Sequence, residues 1–485
     1  MKGKRLQRRG AVAVWFALVL TVLLGMLGLV IDSGLLMSAQ RHAQNAADAA
    51  ALAAANDLMM GRPASYATNT AMTFVNTHNE LSDAPPPTVN IPPASGPYAG
   101  NSAYAEVIVT NPRQTYFVHI LPGATQDQEV GARAVAGFES VSAGEGVAVL
   151  DPTARPGLGV GGTAVLKVKG RVYDNSEGGG VDEDGVPVDN GNSQYAGDVS
   201  NNAVLKANDI RIVGGVNLPE NFQPYEDGNT SNVLHAKELP IPDPLLNLAT
   251  PTTGNGVNSA YRGAPQATNV NLKLNDSGAD DVEPRNYIDT SDPDPANHRM
   301  MLHPGIYTSI EITGGNVTLL PGIYVLKPAN NTQNALKITG GNVTADKIMF
   351  YATGSNYDPA SGFPDANDGD GPPPTGYEKD VKFGAITMNA GMVFTPLEDS
   401  SSPFNNMLFY QRRWNTQSVD FQGDAEEGNL SGTLYAKWAQ FKIAGQGIYN
   451  AQFVVGSLQL TGQGDVTIDY QGTKLGMAPQ VFLVE

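Results

Sequence analysis

AVAVWFALVLTVLLGMLGLVI, from Ala11 to Ile31, contains no charged residue. As a helix rising ~1.5 Å per residue it is about 31 Å long, enough to cross the hydrocarbon core of a bilayer. Such a run must be buried in protein or placed in lipid, and its flanks favour lipid. Lys2, Lys4, Arg5, Arg8 and Arg9 all precede the first acid, Asp32. Basic residues before a span hold that end in the cytoplasm. A cleaved signal peptide has a shorter apolar region followed by a small-x-small site, which SGLLMSAQ satisfies poorly. The sequence therefore predicts a cytoplasmic tail at 1–10 and a retained signal-anchor span at 11–31. The chain is then a single-pass inner-membrane protein, with everything after the span extracytoplasmic.

Nothing between Ile31 and Met60 breaks the helix except Gly34, so an alanine-rich helix at 32–61 is expected to continue the anchor. Nine of the thirteen residues from Ala43 to Ala55 are alanine, the best helix former. Ala43, Ala46, Ala47, Ala50, Ala51 and Ala54 recur at three- and four-residue spacings, and small residues on one face let a neighbouring backbone approach closely. Gly25 and Gly28 could do the same within the membrane. Asn45, Asp48 and Leu52 share one side. A packing helix is therefore expected rather than a solvated spacer.

Arg8 to Ala55, RRGAVAVWFALVLTVLLGMLGLVIDSGLLMSAQRHAQNAADAAALAAA, resembles the N-terminal module of TadG-like Flp (tight-adherence) pilus-assembly proteins. The matching residues are Arg8, Arg9, Gly10, Asp32, Gln44, Asn45, Asp48, Ala49, Ala50, Ala51 and Leu52. From Gly10 and Asp32 onward these are the positions where the resemblance implies interaction with other pilus-assembly proteins. Ala43 departs from the family, which has a larger apolar residue before the Gln. Trp15 and Phe16 stand where prepilins carry Glu and often Tyr after the cleavage-site Gly. The Asp-x-Ser-x-Ser metal motif of some TadG-like proteins does not occur. The resemblance implies a small pseudopilin-like α+β region at 62–142. Within it, SYATNTAMTFVNTHNEL reads as a short helix, DAPPPTVNIPPASGP as a joint, and YAEVIVT, TYFVHIL and EVGARAVAGF as strands. His119, inside the second of these strands, is expected to be packed.

From 143 to 485 short β segments alternate with Gly and Asn. IEITGGNVTL (Ile310 to Leu319) recurs as LKITGGNVTA (Leu336 to Ala345); LHPGIYTSI recurs as LLPGIYVLK, and FKIAGQG as LQLTGQG. Period-2 strands ending in Gly-rich turns at such intervals predict a right-handed parallel β-helix or solenoid, with a β-sandwich as the alternative. Asp174–Gln194 and Asn356–Glu378 read as polar surface insertions. Leu239–Asn297, poor in strand-like runs, reads as an excursion packed on the solenoid.

The net charge of −18 argues against nucleic acid as a partner, because phosphate recognition needs a basic surface. With no cysteine there is no disulfide or thiolate chemistry, and the 54 glycines and 33 prolines suit a turn-rich exported chain. No catalytic set is visible, and the chain is not expected to be an enzyme. The densest acids near a strand, Asp420, Asp424, Glu426 and Glu427, have no histidine beside them, and His298 and His303 lack an evident partner. No cofactor is expected. Calcium at the 365–371 loop is the one alternative, because Asp365 and Asn367 are spaced like the first two ligands of a calcium loop. Gly369 and Gly376 fall where the third and twelfth ligands belong, which favours a solvated acidic turn. The function this supports is structural: a membrane-anchored pilus-assembly protein acting by packing, with its anchor helix against pilus-machinery partners. An adhesin or minor pilin using the solenoid for cell adhesion through glycans is the alternative, and a carbohydrate-active β-helix enzyme the remote one.

Overall fold

The computed structural model describes residues 9–117, 126–142, 146–188, 194–269, 271–274, 282–331, 333–389, 391–424, 430–472 and 477–484. They form two units: 1–140 together with 479–485, and 141–478.

In the first unit one helix, α1 (Arg9–Met59), runs unbroken through the apolar and alanine-rich stretches. It is about 76 Å long at ~1.5 Å per residue. Its apolar part, with a mean hydropathy of 2.7, is almost wholly exposed and long enough to cross a membrane. A short helix, α2 (Ala64–Thr73), continues into a single π-turn, Phe74–His78. Beside them lie β1 (Thr88–Asn90), β2 (Tyr104–Gln114) and β3 (Asp127–Ser142). β2 and β3 form a long antiparallel hairpin, Tyr104 facing Gly137 at one end and Gln114 facing Asp127 at the other. The terminal strand, Met477–Leu483, lies next to β3. The expected strand at TYFVHIL is not formed over its described part. Thr115 to Phe117 lie beyond the end of β2 in a bend, and Val118 to Leu121, with His119, lie outside the described residues.

After α1 and α2 the structure is mainly β. In the second unit nearly all pairing is parallel and falls into three ladders. The first aligns Leu234, Ile210, Val172, Val147, Phe453, Leu434, Phe409, Phe350 and Tyr324. The second aligns Val199, Val160, Leu460, Ile443, Phe421, Met388, Ile338 and Ile312. The third includes Leu205, Leu166 and Val466, and farther along Leu302, Leu319, Ala345 and Phe394. Alternate residues of each strand point to opposite faces, and the inward ones build one continuous apolar core. The repeated phrases are neighbours in these ladders: Ile310 pairs with Leu336, and Phe441 with Leu458. The GIY phrases stack two residues out of register, Gly305 facing Tyr324. Their tyrosines still do the same work. The Tyr307 hydroxyl donates to the His303 carbonyl at 2.5 Å, and that of Tyr324 to the Leu320 carbonyl at 2.7 Å.

The chain visits the ladders in the same order throughout, yet the stack does not follow the sequence. The strand at Val147 pairs with Phe453 on one side and Val172 on the other. Residues 261–468 therefore form one run of the stack, and 147–235 continue it. Residues 239–260 carry the chain back along the outside. Asn175 exchanges two hydrogen bonds with Ile241 (2.7 and 2.9 Å), the Tyr435 hydroxyl donates to Asp243 at 2.6 Å, and the Ile306 amide donates to the Ala260 carbonyl at 2.8 Å. Ile241, Leu245 and Val257 thereby cover the outward side of the first ladder, including Tyr173, Tyr410 and Tyr351. The expected strand-poor excursion thus divides in two: 239–260 packs on the stack, and the short strands Tyr261–Gly263 and Gln266–Ala267 open its next run.

Candidate functional site

Asp32 ends the apolar run of α1 and is completely buried, although Ile31 and Leu35 beside it are exposed. Its carboxylate accepts the backbone N–H of Tyr116 at 3.0 Å and of Phe117 at 2.7 Å, just past β2. One turn earlier Gly28 makes room for the Phe117 ring, which a Cβ there would meet at 2.5 Å. Gly28 and Asp32, four residues apart and so on one helix face, form a cradle for Tyr116 and Phe117. The glycine expected to admit another backbone within the membrane instead admits this chain's own aromatic ring; Gly25 has nothing within 4 Å. The link from Asp32 to Tyr116 and Phe117 was invisible in the sequence, because it joins residues far apart through main-chain donors that any residue supplies.

Farther along α1, Ala43, Ala46, Ala47, Ala50, Ala51, Ala54 and Ala55 are fully buried. They pack on Ala67 and Ala71 of α2 and on Ala105, Val107, Val109, Ala132, Ala134 and Ala136 of β2 and β3. Small side chains on both sides let helix and sheet approach closely. The Gln44 amide donates to Asp48 at 2.7 Å and to the Arg133 carbonyl at 3.3 Å. Gln40 likewise donates to the Gly131 carbonyl at 2.8 Å. Ala49 and Leu52 are half-buried, Leu52 against the same core, while Asn45 is exposed. The structure thus brings Asp32, Gln44, Asp48, Ala50, Ala51 and Leu52 onto their own unit's sheet and α2. Asn45 stays on the surface, and Gly10 lies at the helix start. The small-residue face that the sequence offered to another protein is occupied by this chain.

Glu106 of β2 is a buried polar hub. It accepts from Asn90 at 2.7 Å, from the Ala94 amide at 3.1 Å and from Arg133 at 2.7 Å. Burial pushes its carboxyl up, but these donors outweigh it and hold the group below its ordinary value.

In the second unit the 365–371 loop is exposed at Ala366, Asn367, Gly369, Asp370 and Gly371, but two of its acids turn inward. Asp365 and Asp368 are buried on either side of Arg412. The Arg412 Nη1 lies 2.8 Å from Asp365, while its Nε and Nη2 donate to Asp368 at 2.7 and 2.8 Å. Tyr351 also donates to Asp365 at 2.6 Å. These carboxylate oxygens serve the protein's own guanidinium and hydroxyl, so Asp365 and Asp368 depart from the solvated acidic turn that the sequence suggested, while the rest of the loop keeps to it. Among the described residues no group of three or more His, Asp or Glu is arranged to hold a metal. A cleft of about 600 Å³ is lined by Thr268, Asn271, Thr290 and His298, and His298 bonds to the Asp292 carbonyl. Asp420 lies 4.0 Å from Lys442, and Glu426 and Glu427 are outside the described residues.

The comparison with known proteins falls on α1. Residues 10–57 match the family model of putative Flp pilus-assembly TadE/G-like proteins. No curated protein and no solved structure matches the chain. The TadE/G-like module is α1 from Gly10 to Asp57, and it contains the Asp32 cradle, the Gln44–Asp48 pair and the alanine face. An apolar N-terminal helix within such a module fits a membrane protein associated with Tad pili, whose family points to a structural role among other pilus components.

Proposed function

We propose that this chain is a membrane-anchored structural protein of Flp (Tad) pilus assembly. The observation that carries the reading is that the TadE/G-like match ends where α1 finishes packing on its own sheet. In this reading the basic tail lies in the cytoplasm, the span crosses the inner membrane, and both units lie outside it. The protein acts by packing and has no catalytic step. Asn45 and the exposed apolar collar of α1 are the parts of the module left to meet other pilus components. We further propose that the second unit is a right-handed parallel β-helix. Its constant order of visits to three parallel ladders supports that architecture, and its outer surface offers a repetitive array to envelope partners.

Mass spectrometry of the mature N-terminus, on fractionated membranes and on sheared filaments in parallel, tests the anchored assembly role. An intact N-terminus at Met1 or Lys2 in the inner-membrane fraction is expected. Cleavage after Gly10 with recovery in filaments would make the protein a minor pilin or tip adhesin instead.

A further inference from the structure

We propose that Tyr116 and Phe117, the two residues that follow Thr115 past the end of β2, are a second membrane contact, seated in the headgroup layer beside the anchor helix. The inference rests on reading α1 as a membrane span and adds to it a surface and a partner, the lipid bilayer.

Position supports it first. The Phe117 ring lies against Gly28, inside the uncharged run that ends at Ile31, and Asp32 binds the pair's amides one turn farther out. At ~1.5 Å per residue, Gly28 is about 6 Å deeper along the helix than Asp32. A bilayer that covers α1 to the end of its apolar run therefore reaches the height of Phe117. Exposure supports it next. Tyr116 is 60% exposed and Phe117 41%, while Thr115 before them is buried. The helix surface flanking Gly28 and Asp32 is apolar and exposed as well, with Leu24 at 56%, Ile31 at 44% and Leu35 at 39%. The pair is thus continuous with the lipid-facing surface of the span. Aromatic rings with an apolar body, and in Tyr116 a polar end, suit the membrane–water interface.

Charge supports it third. An ionised carboxylate at the edge of hydrocarbon is costly unless it is hydrogen-bonded. Asp32 is withdrawn from any lipid, completely buried behind the segment whose N–H groups it accepts. One pair of hydrogen bonds therefore shields the acid that ends the apolar run of α1 and presses two aromatic residues against the bilayer. A span alone leaves the first unit free to tilt and turn about one helix; a second contact fixes its orientation over the membrane.

The chain has no cysteine, so single-cysteine labelling is clean. The full-length protein carries a nitroxide at one of four sites: Leu20→Cys in the span, Tyr66→Cys on exposed α2, Tyr116→Cys or Phe117→Cys. It is reconstituted in nanodiscs of phosphatidylethanolamine and phosphatidylglycerol. Collision with oxygen, which concentrates in lipid, is compared with collision with a polar nickel chelate. Labels at 116 and 117 should lose access to the chelate while remaining open to oxygen, resembling position 20 rather than 66. In an Asp32→Ala background the label at 116 should regain chelate access while that at 20 does not change. Labels at 116 and 117 that behave like 66, while 20 is lipid-like, would overturn the proposal and leave the span intact. Chelate access at position 20 would overturn the span and this inference together. Labels at 116 and 117 closed to both reagents would overturn it in favour of a protein covering the pair.

Discussion

Glu106 and Asp174 are both buried carboxylates, and their surroundings drive them in opposite directions. Three donors hold Glu106 below its ordinary value. Its stabilising contribution is therefore complete above the unfolded value of about 4.3 and disappears as pH falls through the lower folded value. Glu106→Gln should lower stability at neutral pH by about 1–3 kcal/mol, the range for a buried charged hydrogen-bond partner. The gap to the parent should close in denaturant titrations below about pH 4. Asp174 ends the strand Val165–Asp174, paired with Val149 on one side and Ile212 on the other, and is fully buried. Burial pushes its carboxyl up to about 7, against the Ser176 amide at 2.9 Å. Here the folded state keeps a proton that the unfolded chain releases above about pH 3.9. Stability from this group therefore falls as pH rises from about 4 to about 7. Asp174→Asn keeps an acceptor for the Ser176 amide and removes the ionisation. The variant should gain on the parent steadily across that window, and a parallel pH dependence in the two proteins would refute the assignment.

At the scale of elements, close-packed surfaces leave little tolerance. Ala47 is fully buried between α1 and its partners, so Ala47→Leu has to displace α2 or the sheet. It should cost about 1–3 kcal/mol, read as a lower melting temperature of the first unit. The Arg412 triad makes a sharper case. Arg412→Met leaves Asp365 and Asp368 buried without their cation and should destabilise the second unit by about 3–5 kcal/mol. Adding Asp365→Asn and Asp368→Asn should recover much of that loss, because the damage comes from uncompensated charge. These elements differ in how legible they were in the sequence. The unbroken helix could be read because apolar and alanine-rich residues follow one another without a breaker. The parallel pairing of ITGGNVT with its copy could be read because identical strands stack in register and present identical side chains to one core. The Arg412 triad could not. Its acids sit in a Gly- and Pro-rich loop with the composition of a solvated turn, and only the distant RRW segment, Arg412 to Trp414, shows what they neutralise. The stack order was equally hidden. Local pattern says that a strand joins a ladder but does not say which turn lies above it, as the Val147–Phe453 pair demonstrates.

At the scale of the whole chain, the second unit is an insertion into the first. β3 ends at Ser142, the terminal strand begins at Met477, and the two are neighbours in one sheet, the Val484 amide donating to the Val135 carbonyl at 2.9 Å. The two connections to the second unit leave from adjacent turns of its stack, since Val147 pairs with Phe453 and Val165 with Asp465. This explains a stack that would otherwise be wasteful. By entering the parallel ladders in their middle, running to one end, returning outside along 239–260 and running back through the ladders, the chain brings its entry and exit together. Insertions whose ends lie close together disturb a host domain least. Replacing residues 143–476 with a short Gly/Ser linker should therefore leave a membrane-bound first unit that keeps its helical far-UV signal and slow amide exchange in β2 and β3. The complementary fragment 146–472 should fold alone with a cooperative melt. If the shortened chain instead exchanges freely in β3, the terminal strand needs the second unit to reach the sheet, and the insertion is a structural dependency of the first unit. If it folds and stays in the membrane but pilus assembly fails, the second unit carries the assembly role and the TadE/G-like module serves as its mount.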